Sequence, residues 1–382
     1  MVEFDTAVVD APLRRVPRDA CTVAIVTDET AFLDLEAEWN DTVDRAGLTH
    51  PFLRHEWIRT WWECFGAGGR LHIVIVRSGG RIALIAPLMT ETVWMYGLPV
   101  RRVRLLHNDH TPRADFIVAE HHDDSYRALW DTLHRTSDSW DVLQLGQLPQ
   151  HTPTAQTMRA LAAADGYKVG VWHSGDAPYL EVQGTWDQYF TKLTSKFRQN
   201  VRTRLSGLTR LGDPVMETLD DTEAILAGRE DAFRLESSGW KRAAGTSVSA
   251  DPAAHRFYSL LAERASTCGW LRLLFLRVAG RRIAVSYGSC YANRLFLFKT
   301  GYDPAYARYS PFKLLTYFAM RRAFADGLHE VDFLGDAEPW KLEWTATTRS
   351  HDWLFVFARS SRAALVHRAK FQIIPALKRW QA

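Results

Sequence analysis

The chain has 382 residues, with a hydrophobic fraction of 47%, a charged fraction of 24% and a net charge of +3. That length holds two domains of ordinary size, and the near balance of charge argues against a general nucleic-acid binder. Cys21, Cys64, Cys268 and Cys290 show no C-x-x-C spacing, which predicts reduced thiols and no metal centre.

Residues 1–20 mix Pro, Arg and Asp without a period and read as a loose tail. They lack the apolar core of a signal peptide, and no apolar run approaches ~18 residues, so the expectation is a cytoplasmic protein with membrane association set aside. A first strand is predicted over 21–27 and helices over 28–44 and 51–65. The aromatic residues of the second helix, Trp57 and Trp61 among them, read as core. Strands over 71–76 and 81–89 are joined by Ser78-Gly79-Gly80, and 103–106 and 116–118 continue the sheet. Between them, His107-Asn108-Asp109-His110 is too sparse for a metal site. Helices over 125–137 and 150–164 and strands over 140–145 and 167–172 complete the first half.

A strand at 179–182 opens the second half. Residues 186–211 are predicted as one long helix, with Phe190, Leu193, Phe197, Val201, Leu205 and Leu208 at steps of three or four. Around that stripe lies a basic face that includes Lys196, Arg198 and Arg202. Such a face is either solvated surface or the seat of an anionic partner: a CoA 3′-phosphate, a nucleotide-linked sugar or a tRNA acceptor stem. The three residues are therefore candidate substrate-binding groups. Helices over 222–237 and 255–268, then a hairpin of 270–278 and 281–290 around Ala279-Gly280, lead into a strand over 295–300.

The run Gly301-Tyr302-Asp303-Pro304 to Tyr309-Ser310-Pro311 breaks that strand. Ser310 predicts an N-cap, Pro311 the first helical position, 312–326 a helix and Gly327 its left-handed end. A further strand at 330–334 completes a strand–helix–strand unit whose helix tip suits a pyrophosphate such as that of coenzyme A. Arg308, Tyr309, Ser310, Pro311, Phe312, Lys313 and Leu314 are the candidate cofactor-binding residues. The basic, amphipathic stretch 362–380, interrupted by Pro375, reads as a helix docked on the second domain.

Several stretches occur in a telling order: Trp240-Lys241 before a Gly-Thr-Ser turn, Tyr302-Asp303-Pro304, Tyr309-Ser310-Pro311, and Asp332-Phe333-Leu334-Gly335 running into Glu338-Pro339-Trp340-Lys341 and Trp344. The region resembles the acetyltransferase family first associated with cellulose biosynthesis (CelD/BcsL-like). That family is a branch of the GNAT superfamily related to the Fem-type aminoacyl transferases. Phe312 and Trp340 depart from its pattern, standing where a small residue and Tyr are usual.

The resemblance implies an α/β (α+β mixed sheet) fold of two tandem GNAT-like domains, 21–178 and 179–360, followed by a basic helix at 361–382. Only the second domain would carry a cofactor site, with the first forming one wall of the acceptor cleft. The implied activity is direct transfer of an acyl group from acetyl-CoA or another acyl-CoA to nitrogen or oxygen of an amino sugar, nucleotide sugar or small metabolite of polysaccharide biosynthesis. A backbone N–H of the strand at 295–300 would face the oxyanion. Asp336, ahead of Glu338, is the candidate base, because Asp332 alternates onto a partly buried face. Lys341 would pair with these acids or stabilise the oxyanion, and Trp240 and Lys241 would line the acceptor side. The alternatives are a Fem-type aminoacyl-tRNA-dependent transferase and a non-catalytic partner protein that kept the GNAT fold.

Overall fold

The computed structural model describes residues 21–120, 122–238, 247–375 and 377. The tail expected at 1–20 and the pair Trp240-Lys241 lie outside them. The first half begins with β1 (Thr22–Val26), α1 (Glu29–Asp34), α2 (Glu36–Arg45) and α3 (His55–Phe65). Then come β2 (Arg70–Leu71), β3 (Ile73–Ser78), β4 (Arg81–Ala86), β5 (Leu88–Met95), β6 (Leu98–Leu105) and β7 (Ile117–Val118). It closes with α4 (His122–Arg135), β8 (Val142–Pro149), α5 (Thr154–Ala164) and β9 (Lys168–Glu181).

The second half opens with α6 (Trp186–Lys192) and α7 (Ser195–Thr209), then repeats the plan through β10 (Val215–Leu219), α8 (Thr222–Glu236), α9 (Pro252–Thr267), β11 (Leu271–Val278), β12 (Arg281–Tyr291) and β13 (Arg294–Tyr302). Next are α10 (Pro311–Ala325), β14 (Glu330–Asp332), α11 (Pro339–Leu342), β15 (Thr348–Phe357) and α12 (Ser361–Arg368). Each half thus runs strand, helices, hairpin, and later a helix that joins two parallel strands. Those parallel pairs are β6 with β8 across α4, and β13 with β14 across α10.

The strands form a four-stranded sheet, β1-β3-β4-β7, and an eleven-stranded sheet, β10-β11-β12-β13-β14-β9-β15-β8-β6-β5-β2. The larger sheet crosses from one half to the other without a gap. β9 pairs with β14 through Tyr179–Glu181 and with β15 along the rest of its length, so the boundary expected between 178 and 179 falls inside one strand. β15, near the end of the second half, inserts between β8 and β9 of the first. One apolar cluster also joins the halves. In it Phe52 and Phe296 meet edge to face at 5.6 Å, as do Trp57 and Phe257; edge-to-face packing suits the charge distribution of aromatic rings.

Two expectations fail for local reasons. The long helix at 186–211 is two helices, because Leu193 adopts an extended backbone (ψ 156) and the Thr194 hydroxyl accepts the Phe197 N–H to start α7. A capping threonine breaks the helix while the apolar period continues across the break. At Ser310 the side chain makes no capping hydrogen bond, and the residue is left-handed with φ 51. Pro311 does occupy the first position of α10, and Gly327 is left-handed with φ 64. Among the described residues no helix is long and apolar enough to cross a membrane.

Candidate active site

The site lies where β13 and β14 part. Their pairing runs only from Arg294↔Glu330 to Phe296↔Asp332. On the other side of β13, the register with β12 slips between Tyr287↔Lys299 and Gly288↔Leu297, leaving Phe298 as the extra residue of a bulge. A bulge bends and twists its strand, and β13 continues to Tyr302 while β14 stops. After Asp332 the chain turns through Leu334, left-handed at φ 53, whose N–H donates to Asp332 Oδ1 at 2.9 Å. The fork opens into a cleft of about 960 Å³. Its walls are Leu297–Tyr302, the 333–336 loop, Phe312 and the 338–341 turn on one side, and 109–112, Gln147, Ser174 and Gly175 of the first half on the other.

The base of the fork is an ionic cluster. Asp332 is fully buried and pairs with Arg113 of the first half and with Arg349 Nη1 at 2.8 Å, while Arg349 Nη2 lies 3.0 Å from Glu330. Burial draws the Arg113 guanidinium below its usual value against the pull of Asp332. For Arg349 the two carboxylates outweigh burial and hold it above. Asp332 is therefore a structural ion, as its place in the strand alternation suggested.

The predicted catalytic residues come together at this cleft. Lys341 is buried, and its Nζ donates to Leu334 O at 2.7 Å and Asp336 O at 2.9 Å, with Glu338 Oε2 3.6 Å away. Burial lowers its pKa against the opposing pull of Glu338 and Asp336. Two of its three donors thus hold the loop that presents Asp336. Asp336 is exposed and faces β9: a methyl group on Gly175 would come 2.9 Å from its Oδ1. Glu338 accepts the Trp340 indole N–H at 2.5 Å.

Of the predicted cofactor-binding residues, Phe312 lines the cleft, with its ring edge to face on Trp340 at 5.0 Å. Pro311 and Leu314 are buried; Lys313 is bound to Glu343 at 2.6 Å, and Arg308 donates to the Tyr309 hydroxyl at 2.5 Å. Lys196, Arg198 and Arg202 do not line the cleft. They sit on α7, which packs beside α10 and the turn Pro304–Tyr309, to which Arg204 is hydrogen-bonded through the Arg308 carbonyl.

Sequence reasoning missed several cleft residues. His110 stacks on Phe65 at 5.4 Å and lies 3.3 Å from the Tyr258 hydroxyl; burial and Lys299 pull its pKa down to about 4. His351 is 3% exposed, its Nε2 has no hydrogen-bond partner, and burial together with Arg113 pulls it down to about 4. Both rings are neutral at pH 7. The polar run 107–110 was visible in the sequence as a cluster, yet only the fold shows that its second pair, Asp109 and His110, faces a cleft from the other half. Among the described residues no group of His, Cys, Asp and Glu is arranged to hold a metal.

Residues 195–342 match the family described as acetyltransferase (GNAT) domain. FemX, at 11% identity, superposes with a TM-score of 0.57 over 88% of this chain and 98% of its own. The C-terminal domain of a proposed lysylphosphatidylglycerol synthetase from Agrobacterium fabrum, at 12% identity, gives 0.51 over 85% and 94%. A protein of unknown function from Bacteroides thetaiotaomicron VPI-5482, at 10% identity, gives 0.50 over 88% and 100%. No relative is found among curated protein sequences. At such identities the superpositions speak for the fold alone. The chain has a mixed α/β fold whose second half contains the stretch that matches the GNAT domain and whose first half repeats its order of elements.

Proposed function

We propose that this protein transfers an acyl group, acetyl in the first instance, from acyl-CoA to an amine or hydroxyl of a small acceptor held between the two halves. The carrying observation is the fork between β13 and β14, which opens beside the tip of α10. The residues present fit the carrier. Among the described residues no strand flanks the outer edge of β13 beyond Phe296, so its backbone can pair with the amides of an extended pantetheine arm. At the start of α10 the amides of Phe312 and Lys313 have no carbonyl of their own helix to pair with, as a diphosphate requires. Arg308, Tyr309 and Ser310 shape the approach to that tip, and Lys196, Arg198 and Arg202 on α7 supply positive charge for the outer phosphate.

Bound acyl-CoA supplies the activated thioester; the protein supplies position and proton handling. A backbone N–H of β13 polarises the acyl carbonyl. As the acceptor nitrogen or oxygen bonds to the acyl carbon and the thioester C–S bond breaks, Asp336 takes the acceptor's proton, with Glu338 beside it, and that proton goes on to the departing thiolate; Lys341 fixes the loop that carries both carboxylates. The acceptor wall comes from the first half. The likeness of the Tyr309-Ser310-Pro311 and Glu338-Pro339-Trp340-Lys341 stretches to the CelD/BcsL-like family supports an amino sugar or nucleotide sugar of polysaccharide synthesis as acceptor. Isothermal titration of the whole chain with acetyl-CoA tests the reading. Binding is expected, tightened in Phe312→Ala, which widens the approach to the helix tip. If neither protein binds, the acyl-CoA reading fails and the Fem-type or non-catalytic alternatives take its place.

A further inference from the structure

The basic segment after β15 was expected to spend its apolar face on docking. It does dock, but into the core of the first half rather than on the second: it packs on β6, β9 and β15. Ala363 and Val366 are fully buried, and the Phe371 ring packs on Phe355 and Phe357 at 5.8 and 6.0 Å. Gly170 makes room for it, since a methyl group there would come 2.2 Å from the ring. This accounts for one face of the segment. A second apolar row remains outside: Leu365, Ile373 and Leu377 are 56%, 48% and 58% exposed, and Trp172 on neighbouring β9 is 44% exposed. Between Leu365 and Ile373 the backbone passes through a wide π turn, Ala369–Ile373. Such a turn advances fewer degrees per residue than an α-helix and brings Ile373 back into line with Leu365.

The charge around this row has one sign. From residue 353 to the last residue the sequence carries Arg359, Arg362, Arg368, Lys370, Lys378 and Arg379 and neither Asp nor Glu, although the whole chain is only +3. Arg362 is offset by Asp141 at 3.2 Å. Arg368 is exposed, and Lys370 lies over the Trp172 ring at 5.0 Å, so positive charge borders the apolar row.

We propose that this face, Leu365, Ile373, Leu377 and Trp172 with their basic surround, is a docking surface for an anionic lipid bilayer. Apolar side chains in such a row enter the boundary between headgroups and acyl chains, while Lys and Arg bind the anionic headgroups. A second copy of the chain fits the surface poorly: a two-fold contact would set one basic segment against another, with no acid within the segment to neutralise either. Docking there also bears on the cleft. Trp172 and the cleft residue Ser174 are two positions apart on β9, roughly 7 Å of extended chain.

The test is co-sedimentation of the full chain with vesicles of phosphatidylcholine alone and of phosphatidylcholine with phosphatidylglycerol, at low and at high salt. Binding to the phosphatidylglycerol vesicles only, weakened by salt, is the expected result. The double variant Leu365→Asn/Ile373→Asn should lower the partition coefficient by about tenfold or more, and Arg368→Gln/Lys370→Gln should also lower it. Thermal melting of each variant checks that the fold is kept. The proposal is overturned if the wild type ignores phosphatidylglycerol vesicles at low salt, or if folded Leu365→Asn/Ile373→Asn binds them as well as the wild type. It is equally overturned if the chain is a dimer that this double variant splits, which would assign the face to a second copy. None of these readouts depends on acyl transfer, so the surface and the activity stand or fall separately.

Discussion

Lys341 shows how one side chain can hold a loop at the edge of a cleft. Its ammonium is buried and donates to two loop carbonyls, Leu334 O and Asp336 O. Lys341→Met keeps the apolar stem and removes the donors, so two acceptors lose their partner. Urea denaturation should show a loss of about 1–3 kcal/mol. Unchanged stability in Lys341→Met would remove the positioning role and return the residue to direct chemistry. The buried histidines make a second prediction. His107 is held down to about 3, and His110 and His351 to about 4, chiefly by burial. Each folded value lies below the ordinary 6.5. As pH falls from 6.5 toward 4 the unfolded chain therefore binds protons that the folded chain refuses, and stability is lost. Asp115, raised to about 6 by burial, works in the opposite sense over part of that range, because the folded chain keeps a proton the unfolded one releases. The net slope should fall toward acid, and His107→Gln should flatten it by up to about 1.4 kcal/mol per pH unit. An unchanged slope of stability against pH in that variant would show that His107 titrates normally.

At the scale of elements, the unit from β13 through α10 to β14 was legible because each part carries its own local signal. Alternation marks the strand, Pro311 the helix start and Gly327 its end. Ser310 was misread for an equally local reason: serine before proline usually caps, whereas here the preceding turn Pro304–Tyr309 forces it left-handed. Ser310→Gly should therefore stabilise the protein by roughly 0.5–1 kcal/mol in thermal or urea unfolding, since glycine takes that conformation without a Cβ penalty. A loss of stability would mean that the hydroxyl caps α10 after all. Phe298 was legible as a strand residue but not as a bulge, because a bulge is a mismatch with a second strand and leaves no mark on the first.

At the scale of the molecule, the halves are joined more closely than a linker would join them. Arg113 of the first half neutralises Asp332 of the second, β9 completes the edge of β14, and β15 returns to the first half. Arg113→Met should leave a buried carboxylate with Arg349 as its remaining partner and cost about 3 kcal/mol. A fragment of residues 179–360 should lack cooperative unfolding by circular dichroism, because β15 would lose both its neighbours, β8 and most of β9. A sharp two-state transition in that fragment would show that the second half folds alone.

The sequence alone determined what depends on nearest neighbours: the helices and strands with clear periods, the turn glycines and the loop that carries Asp336, Glu338 and Lys341, while the mixed α/β class came with the family resemblance. Tertiary structure alone decided which residues from distant stretches face one another. Gly175 meets Asp336 across the cleft that His110 and Ser174 also line, and Arg113 meets Asp332 more than two hundred residues away. The reason is physical: period and capping follow from interactions a few residues apart, whereas strand order and burial follow from packing the whole chain, which no local pattern records.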